Sequence, residues 1–408
     1  MNRSVLQAIC IKSIKNSLDY LWISTVLFLS YSAQGQAFEI GKSTFGSDNY
    51  IEYLVGNTPF VLSVPHGGSI EPSTIVDRNC SGCTYVKDSF TEELAREIYA
   101  AYYQKTGCYP HIIINLLHRK KLDMNREVEE ATGSNTNSIK YWTDYQRFID
   151  TAKVKIKQSF GKGLFLDIHG HGHTKQRIEL GYLLTKTNLQ GSDEILNTAP
   201  IVSNSSIKNL VSNNVNHISH AELIRGNTSF GSLLALKGYP GVPSTDDPFP
   251  LNADEYFNGG FNTDVHGSKS GGSIDAIQLE LNSTIRFNSS IRQEFAEELV
   301  NAMITYFKTH YTTTFDVMSC GSVSSSKQVL DGQQISLYPN PTRANISYDY
   351  EKQVEEIYRI NYTGQREKIV IHETSKTIST QNWIEGFYLL EFVLQDGNRL
   401  YKKVIKLD

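Results

Sequence analysis

Along most of the chain, short uninterrupted apolar runs alternate with segments of helical period. Phe60-Val-Leu-Ser-Val64 closes on Pro65-His66-Gly67-Gly68 and reads as a buried strand entering a tight loop. A helix is expected from about Ser89 to Gln104, where Thr91-Glu92-Glu93 suits a first turn and Leu94, Ile98 and Ala101 make one apolar face. His111 to Leu117 (HIIINLL) is a second apolar strand, residues 141–160 carry helical periodicity, and Gly163 to Ile168 is a third strand. Ala276 to Leu281 (AIQLEL) reads as a fourth, before a helix from about Ser290 to Lys308. The polar stretch from Ser203 to Asn227 accommodates a helix but marks it poorly. Apolar strands alternating with helices predict an α/β fold, with a mixed, mostly parallel sheet covered by helices on both faces.

Beyond Tyr311 the pattern changes. Ser319 to Lys327 is small and polar, as a linker is, and from Ile335 short β-rich runs are separated by turns such as Pro339-Asn340-Pro341. A small C-terminal antiparallel β-sandwich is expected there. The N-terminus has the form of an export signal: Arg3, Lys12 and Lys15 precede an apolar stretch from Leu21 to Leu29, and Ala33-Gln34-Gly35 offers a cleavage site. That stretch is about half of the ~20 residues that a membrane-spanning helix needs, which argues against an uncleaved anchor. The expected divisions are a signal peptide at 1–35, a catalytic domain at 36–315, a linker at 316–334 and a C-terminal domain at 335–408, with no transmembrane segment in the mature chain.

Composition narrows the partners. At 408 residues and 39% hydrophobic content the chain buries a real core, and a formal net charge of −4 supplies no basic field for a nucleic-acid backbone. Of five cysteines, Cys10 leaves with the signal. Cys80, Cys83, Cys108 and Cys320 remain as an even set in a chain bound for an oxidising compartment, which favours disulfides of undetermined pairing. A zinc knuckle at Cys80 and Cys83 would need a second pair at matching spacing, and the sequence has none.

Candidate chemistry gathers where the strands end, the usual place for ligands in open α/β sheets. His66 and His169 each follow an apolar strand and precede glycines. Together with a carboxylate, Asp88 or its substitute Glu92 one turn later, they make a donor set for a metal that keeps an open position. In Asp167-Ile-His169-Gly-His171-Gly-His173 the glycines predict that the strand breaks, one histidine ligating while a neighbour orients it or meets substrate. Asp167 is a natural partner for the outer N–H of such an imidazole. A His-rich loop that binds metal only adventitiously is the plainer alternative.

Glu280, inside AIQLEL, is costly in a buried strand unless it faces a polar cleft or an ion, and it suits a general base. Its structural alternative is a salt bridge with Arg286. Arg119 and Arg126, directly after the second strand, carry planar forks suited to a carboxylate or an oxyanion, whereas Lys120 and Lys121 read as a solvated turn.

Five segments in this order, Ser63-Val-Pro-His-Gly-Gly68, Asp88-Ser-Phe-Thr91, Arg119-Lys-Lys-Leu-Asp-Met-Asn-Arg126, Leu166-Asp-Ile-His-Gly-His-Gly172 and Gln278-Leu-Glu-Leu-Asn282, resemble the N-formylglutamate amidohydrolase family over residues of about 51–307. The resemblance implies a zinc carboxypeptidase-like sheet and Zn2+ held by His66, Asp88 and His169. It also implies Glu280 as catalytic base, Arg119 near the scissile carbonyl, and Asn125 with Arg126 on a substrate carboxylate. His171 and Arg286 are further candidates for substrate binding. Residues 337–341 (LYPNP), Gly386-Phe-Tyr-Leu-Leu390 and the terminal run through Leu407 resemble the sorting domain of the type IX secretion system. That resemblance implies the outer-membrane secretion machinery as a partner and release or surface attachment as the outcome.

Two other functions use the same residues: a metallocarboxypeptidase acting on peptides or cell-wall fragments, and a surface module that binds without cleaving.

Overall fold

The computed structural model describes residues 38–133, 135–312, 335–350, 353–360, 366–369, 376–395 and 399–407. The expected signal peptide at 1–35 and the linker at 316–334 lie outside them. The chain divides into two compact units, one ending at Val323 and the other beginning at Ser324.

The larger unit is built on eight strands: β1 (Ser43–Phe45), β2 (Ile51–Leu54), β3 (Phe60–Val64), β4 (His111–Asn115), β5 (Gly163–Gly170), β6 (Ile178–Gly181), β7 (Gly241–Val242) and β8 (Ile274–Leu281). Their order across the sheet is β1-β2-β4-β3-β5-β8-β6-β7. The four central strands β4, β3, β5 and β8 run parallel. β2 joins β4 antiparallel on one flank, and β6 joins β8 antiparallel on the other. The four strands legible in the sequence are thus the parallel centre. β1, β2, β6 and β7 have no counterpart in the sequence reading, since runs of two to four residues carry too little periodicity.

Side-chain alternation sorts each central strand onto two cores. On one face Leu62, Val64, Ile112, Ile114, Leu164, Leu166, Leu279 and Leu281 pack against the helices Thr91–Thr106 and Ser289–His310, through Leu94, Ile98, Phe295 and Leu299 among others. On the other, Val61, Ile113, Phe165, Ile274 and Ala276 pack against the helix Ile139–Phe160 through Tyr145, Phe148, Ile149 and Ile156. Helices therefore cover both faces, as the apolar strands predicted. The stretch from Ser203 to Asn227 holds two short helices, Lys208–Asn213 and His220–Arg225.

The second face changes character along the strands. Val61, Phe165 and Ala276 are apolar, but the next residues on that face are Ser63, Asp167 and Gln278, which the register sets side by side (Ser63↔Asp167, Asp167↔Gln278). One step further His169 pairs Glu280, and Glu280 pairs Glu179 of β6. All of these are at most 5% exposed. Buried polar rows at the carboxyl ends of parallel strands are costly unless they serve a site.

The smaller unit has seven strands: β9 (Ser336–Tyr338), β10 (Asn345–Asp349), β11 (Val354–Ile360), β12 (Arg366–Ile369), β13 (Thr377–Ser379), β14 (Gly386–Leu394) and β15 (Arg399–Lys406). They form sheets β13-β10-β9 and β12-β11-β14-β15, antiparallel throughout. Ile346, Tyr348 and Ile378 of the first sheet share one core with Ile357, Leu390, Phe392 and Val404 of the second, the sandwich that the short strands predicted.

Candidate metal centre

Backbone geometry first brings the candidates together. After β3 the chain turns at Pro65-His66, and Gly67 and Gly68 lie so close to other backbone that no side chain fits. A Cβ at Gly67 would stand 2.7 Å from the Glu92 nitrogen, and one at Gly68 2.3 Å from the Leu116 carbonyl carbon. The Asp88 N–H donates to the His66 carbonyl (3.0 Å), so the chain returns to His66 just before the helix Thr91–Thr106. Phe90, between them, adopts a left-handed conformation (φ 68°), uncommon for a bulky residue. β5 ends at Gly170, where a Cβ would stand 2.4 Å from the Arg286 guanidinium carbon, and the strand breaks there as the glycines predicted.

Three donor atoms then form a triangle. His66 Nδ1 and His169 Nδ1 are 3.1 Å apart, and Asp88 Oδ2 lies 3.3 Å from the first and 3.2 Å from the second. Tetrahedral ligands about 2.0–2.1 Å from a metal are separated by ~3.3 Å, so the triangle has the dimensions of one face of such a centre. Both outer imidazole nitrogens are taken by buried carboxylates: His66 Nε2 meets Asp123 Oδ1 at 2.6 Å, and His169 Nε2 meets Asp167 Oδ2 at 2.9 Å. These contacts fix each ring with its Nδ1 toward the triangle, the arrangement metal-ligating histidines commonly have. The donor set therefore fits a divalent cation.

Charge points the same way. Asp88, Asp123, Asp167, Glu179 and Glu280 are all at most 7% exposed. Burial alone would raise the Asp88 carboxyl, but His66 and His169 pull it below the usual carboxylate range. Asp123 is likewise held well below that range against its burial by His66, Arg119 and Arg78. Burial, with help from Asp88, Glu179 and Asp167, pushes the Glu280 carboxyl up to about 8, although His169 opposes it. Gln278 Nε2 donates to Glu280 at 3.0 Å, and Gln278 Oε1 is buried without a hydrogen-bond partner.

The remaining candidates fall in different places. Arg119 donates from Nε to Asp123 (3.0 Å) and sets a terminal nitrogen 3.7 Å from Asp88 Oδ1, beside the triangle. Asn125 Nδ2 is 3.3 Å from His169 Nε2, while its Oδ1 accepts from the Asn262 N–H. Arg126 points outward and donates to Glu130 at 2.9 Å. Arg286 donates to the carbonyls of Leu281, Ser89 and His171, which places its fork on backbone rather than on Glu280. Glu92, the substitute for Asp88, pairs with Arg96 instead.

His171, His173 and Glu179 make a second group of possible ligands, in which both nitrogens of His171 and both oxygens of Glu179 are already engaged. His171 Nδ1 accepts from the His173 N–H (3.1 Å) and Nε2 faces the Arg177 carbonyl (2.8 Å). Glu179 meets His173 Nδ1 with one oxygen and accepts from the Phe257 N–H with the other, each at 2.8 Å.

Among the residues that sequence reasoning assigned no role, Asp123 is the most consequential, followed by Glu179 and Asn262. Asp123 stands inside a quoted motif, but its partner lies 57 positions away. Cys80 and Cys83 are bonded to each other, and Cys108 is also disulfide-bonded. Cys320 lies outside the described residues. No helix among the described residues is long and apolar enough to cross a membrane.

Fold and site together define a mixed α/β unit with a metal-type donor cluster at its strand ends, followed by an antiparallel β-sandwich. The sandwich is a secretion system C-terminal sorting domain: residues 336–407 match that family's model. It is the type IX sorting domain that the sequence resemblance implied, and it marks the chain as secreted or attached to the outer membrane. No curated protein matches the chain. Solved structures similar to it include N-formylglutamate amidohydrolase from Ralstonia eutropha JMP134, at 12% identity and TM-score 0.37, covering 61% of this chain and 93% of that one. A gene product of Agrobacterium tumefaciens matches at 9% identity and TM-score 0.39, covering 67% and 98%. The CwlD amidase from Clostridioides difficile, in complex with the GerS lipoprotein, matches at 9% identity and TM-score 0.24, covering 61% and 98%.

Proposed function

We propose that the chain is an exported zinc-dependent hydrolase that cleaves the amide bond of a small carboxylate-bearing substrate, an N-acyl amino acid of the N-formylglutamate kind. The observation that carries this reading is the triangle of His66, Asp88 and His169 with a buried acid, Glu280, paired directly across the sheet from His169. Two imidazoles and one carboxylate with an open position are a zinc donor set of the catalytic type. Zinc, when bound, supplies Lewis acidity, lowering the pKa of water and polarising a carbonyl.

The chain's own groups supply the rest. Glu280 takes a proton from the attacking water and delivers it to the leaving nitrogen as the C–N bond breaks, giving a carboxylate and an amine. Arg119, held by Asp123, stabilises the negative charge that develops on the carbonyl oxygen. Asn125 and Arg126 receive the substrate carboxylate, for which Arg126 competes with its present partner Glu130. Triangle and base are between 1% and 7% exposed, which favours a small amide over the peptide chain that a metallocarboxypeptidase accepts.

In the same reading residues 1–35 are the export signal, 36–315 the catalytic domain and 316–334 the linker. The test is metal analysis of the purified mature protein together with a panel of N-formyl and N-acyl amino acids beside C-terminal dipeptides. Zinc-dependent cleavage of the N-acyl substrates is expected. A zinc-loaded protein that cleaves nothing in the panel would favour the binding module, and preference for dipeptides the carboxypeptidase.

A further inference from the structure

We infer that Arg78 is a positioning residue of the metal centre, the point at which the loop between two ligands is fastened to the segment that holds them. The inference rests on the zinc reading above. After His66 the chain runs out through a surface loop and comes back at Asp88. Arg78, in that loop, has a side chain wholly withdrawn from solvent.

Its guanidinium reaches three parts of the fold. Nε donates to the Arg119 carbonyl at 3.0 Å, and Nη1 to the Glu130 carbonyl at 3.3 Å. Nη2 donates to the Thr84 carbonyl at 2.6 Å and stands 3.5 Å from Asp123 Oδ2. Nη1 also lies 3.3 Å from Cys83 Sγ, at the Cys80–Cys83 disulfide that closes the loop on itself. The Arg78 N–H donates to the Lys120 carbonyl (2.8 Å), and Gly133 admits the loop because a Cβ there would meet Arg78 Cα at 2.9 Å.

The consequence follows from Asp123, whose Oδ1 holds His66 Nε2 and whose Oδ2 is shared by the two guanidinium groups of Arg119 and Arg78. A buried carboxylate with one guanidinium bonded to an oxygen, a second guanidinium beside it and an imidazole on the other oxygen has little freedom to rotate. Arg78 touches neither the triangle nor the reacting atoms. It sets Asp123 and the backbone of Arg119, and through them the aim of His66 and of the Arg119 fork.

The test compares zinc affinity, by competition with a chromophoric chelator, in the full mature chain and three variants. Arg78→Met should weaken zinc about 10–100-fold, the usual loss when a partner of a ligating histidine is disturbed, and should lower kcat more than it raises KM. Arg78→Lys keeps the charge without the fork, folds more readily, and should fall between Met and wild type. Arg225→Met is the control. It too removes a fork held by a carboxylate (Asp193) and by the carbonyls of Leu189 and Gly191, and it should lower thermal stability with wild-type zinc affinity. Wild-type affinity in Arg78→Met, or equal weakening in Arg78→Met and Arg225→Met, would overturn the inference. A wild-type chain that takes up no zinc would overturn the metal reading itself.

Discussion

Two groups of histidines and acids flank Glu280, one through His169 and the other through Glu179, and their rings are held differently. In the first, the Nδ1 atoms of His66 and His169 meet Asp88 while each outer nitrogen rests on a carboxylate. In the second, His171 has both nitrogens on backbone groups, and Glu179 is shared between His173 and the Phe257 N–H. Residue type is nearly the same in the two. His66 and His169 each have a carboxylate on one nitrogen and Asp88 at the other, whereas His171 has backbone on both, so in the proposed reading the first two are ligands and His171 a brace.

The sharpest way to test this contrast is through chemistry. Glu280→Gln should retain zinc and lose 10²- to 10⁴-fold or more in kcat, as loss of a general base does; undiminished turnover would remove Glu280 from the reaction. Asp123→Asn should weaken zinc about 10–100-fold without abolishing it, read by the same chelator competition. On the other side of the contrast, His171→Ala should leave zinc untouched and cost about 1–3 kcal/mol in denaturant unfolding, because it strips the partners of buried backbone groups. Zinc loss in that variant would make His171 a ligand and erase the distinction.

A third kind of histidine stands apart from both groups. His111 is buried with no carboxylate beside it, its Nδ1 taken by the Gly56 N–H and the Tyr53 hydroxyl, and burial pushes it down to about 3. The unfolded chain binds this proton from about pH 6.5 downward while the folded chain does not, so the contribution of His111 to stability is lost as pH falls from 6.5 toward 3. His111→Gln should flatten that part of the stability–pH curve; an unaltered slope would assign the acid lability to other groups.

The difference between the groups also explains how much could be read from the sequence. His66, His169 and Glu280 were legible because each ends an apolar strand whose burial makes a polar residue conspicuous. Asp88 was legible only with Glu92 beside it, since the choice depends on the return of the chain to the His66 carbonyl. Asp123 and Glu179 were not, because their importance lies in a partner ring that the fold supplies: Asp123 meets a histidine from another strand end, and Glu179 sits on β6, too short to announce itself. Arg126 and Arg286 were legible as forks suited to a carboxylate, but the partners that hold them in the fold, Glu130 for Arg126 and backbone carbonyls for Arg286, were not. The β-sandwich was legible from turn spacing alone, since short antiparallel strands joined by turns leave a local pattern that a crossover sheet does not.

The most direct test of the central claim is the zinc content, by elemental analysis after dialysis, of wild type, His169→Ala and His173→Ala. About one zinc per chain is predicted in wild type and in His173→Ala, and almost none in His169→Ala. Full zinc in His169→Ala, or its loss from His173→Ala alone, would contradict the account.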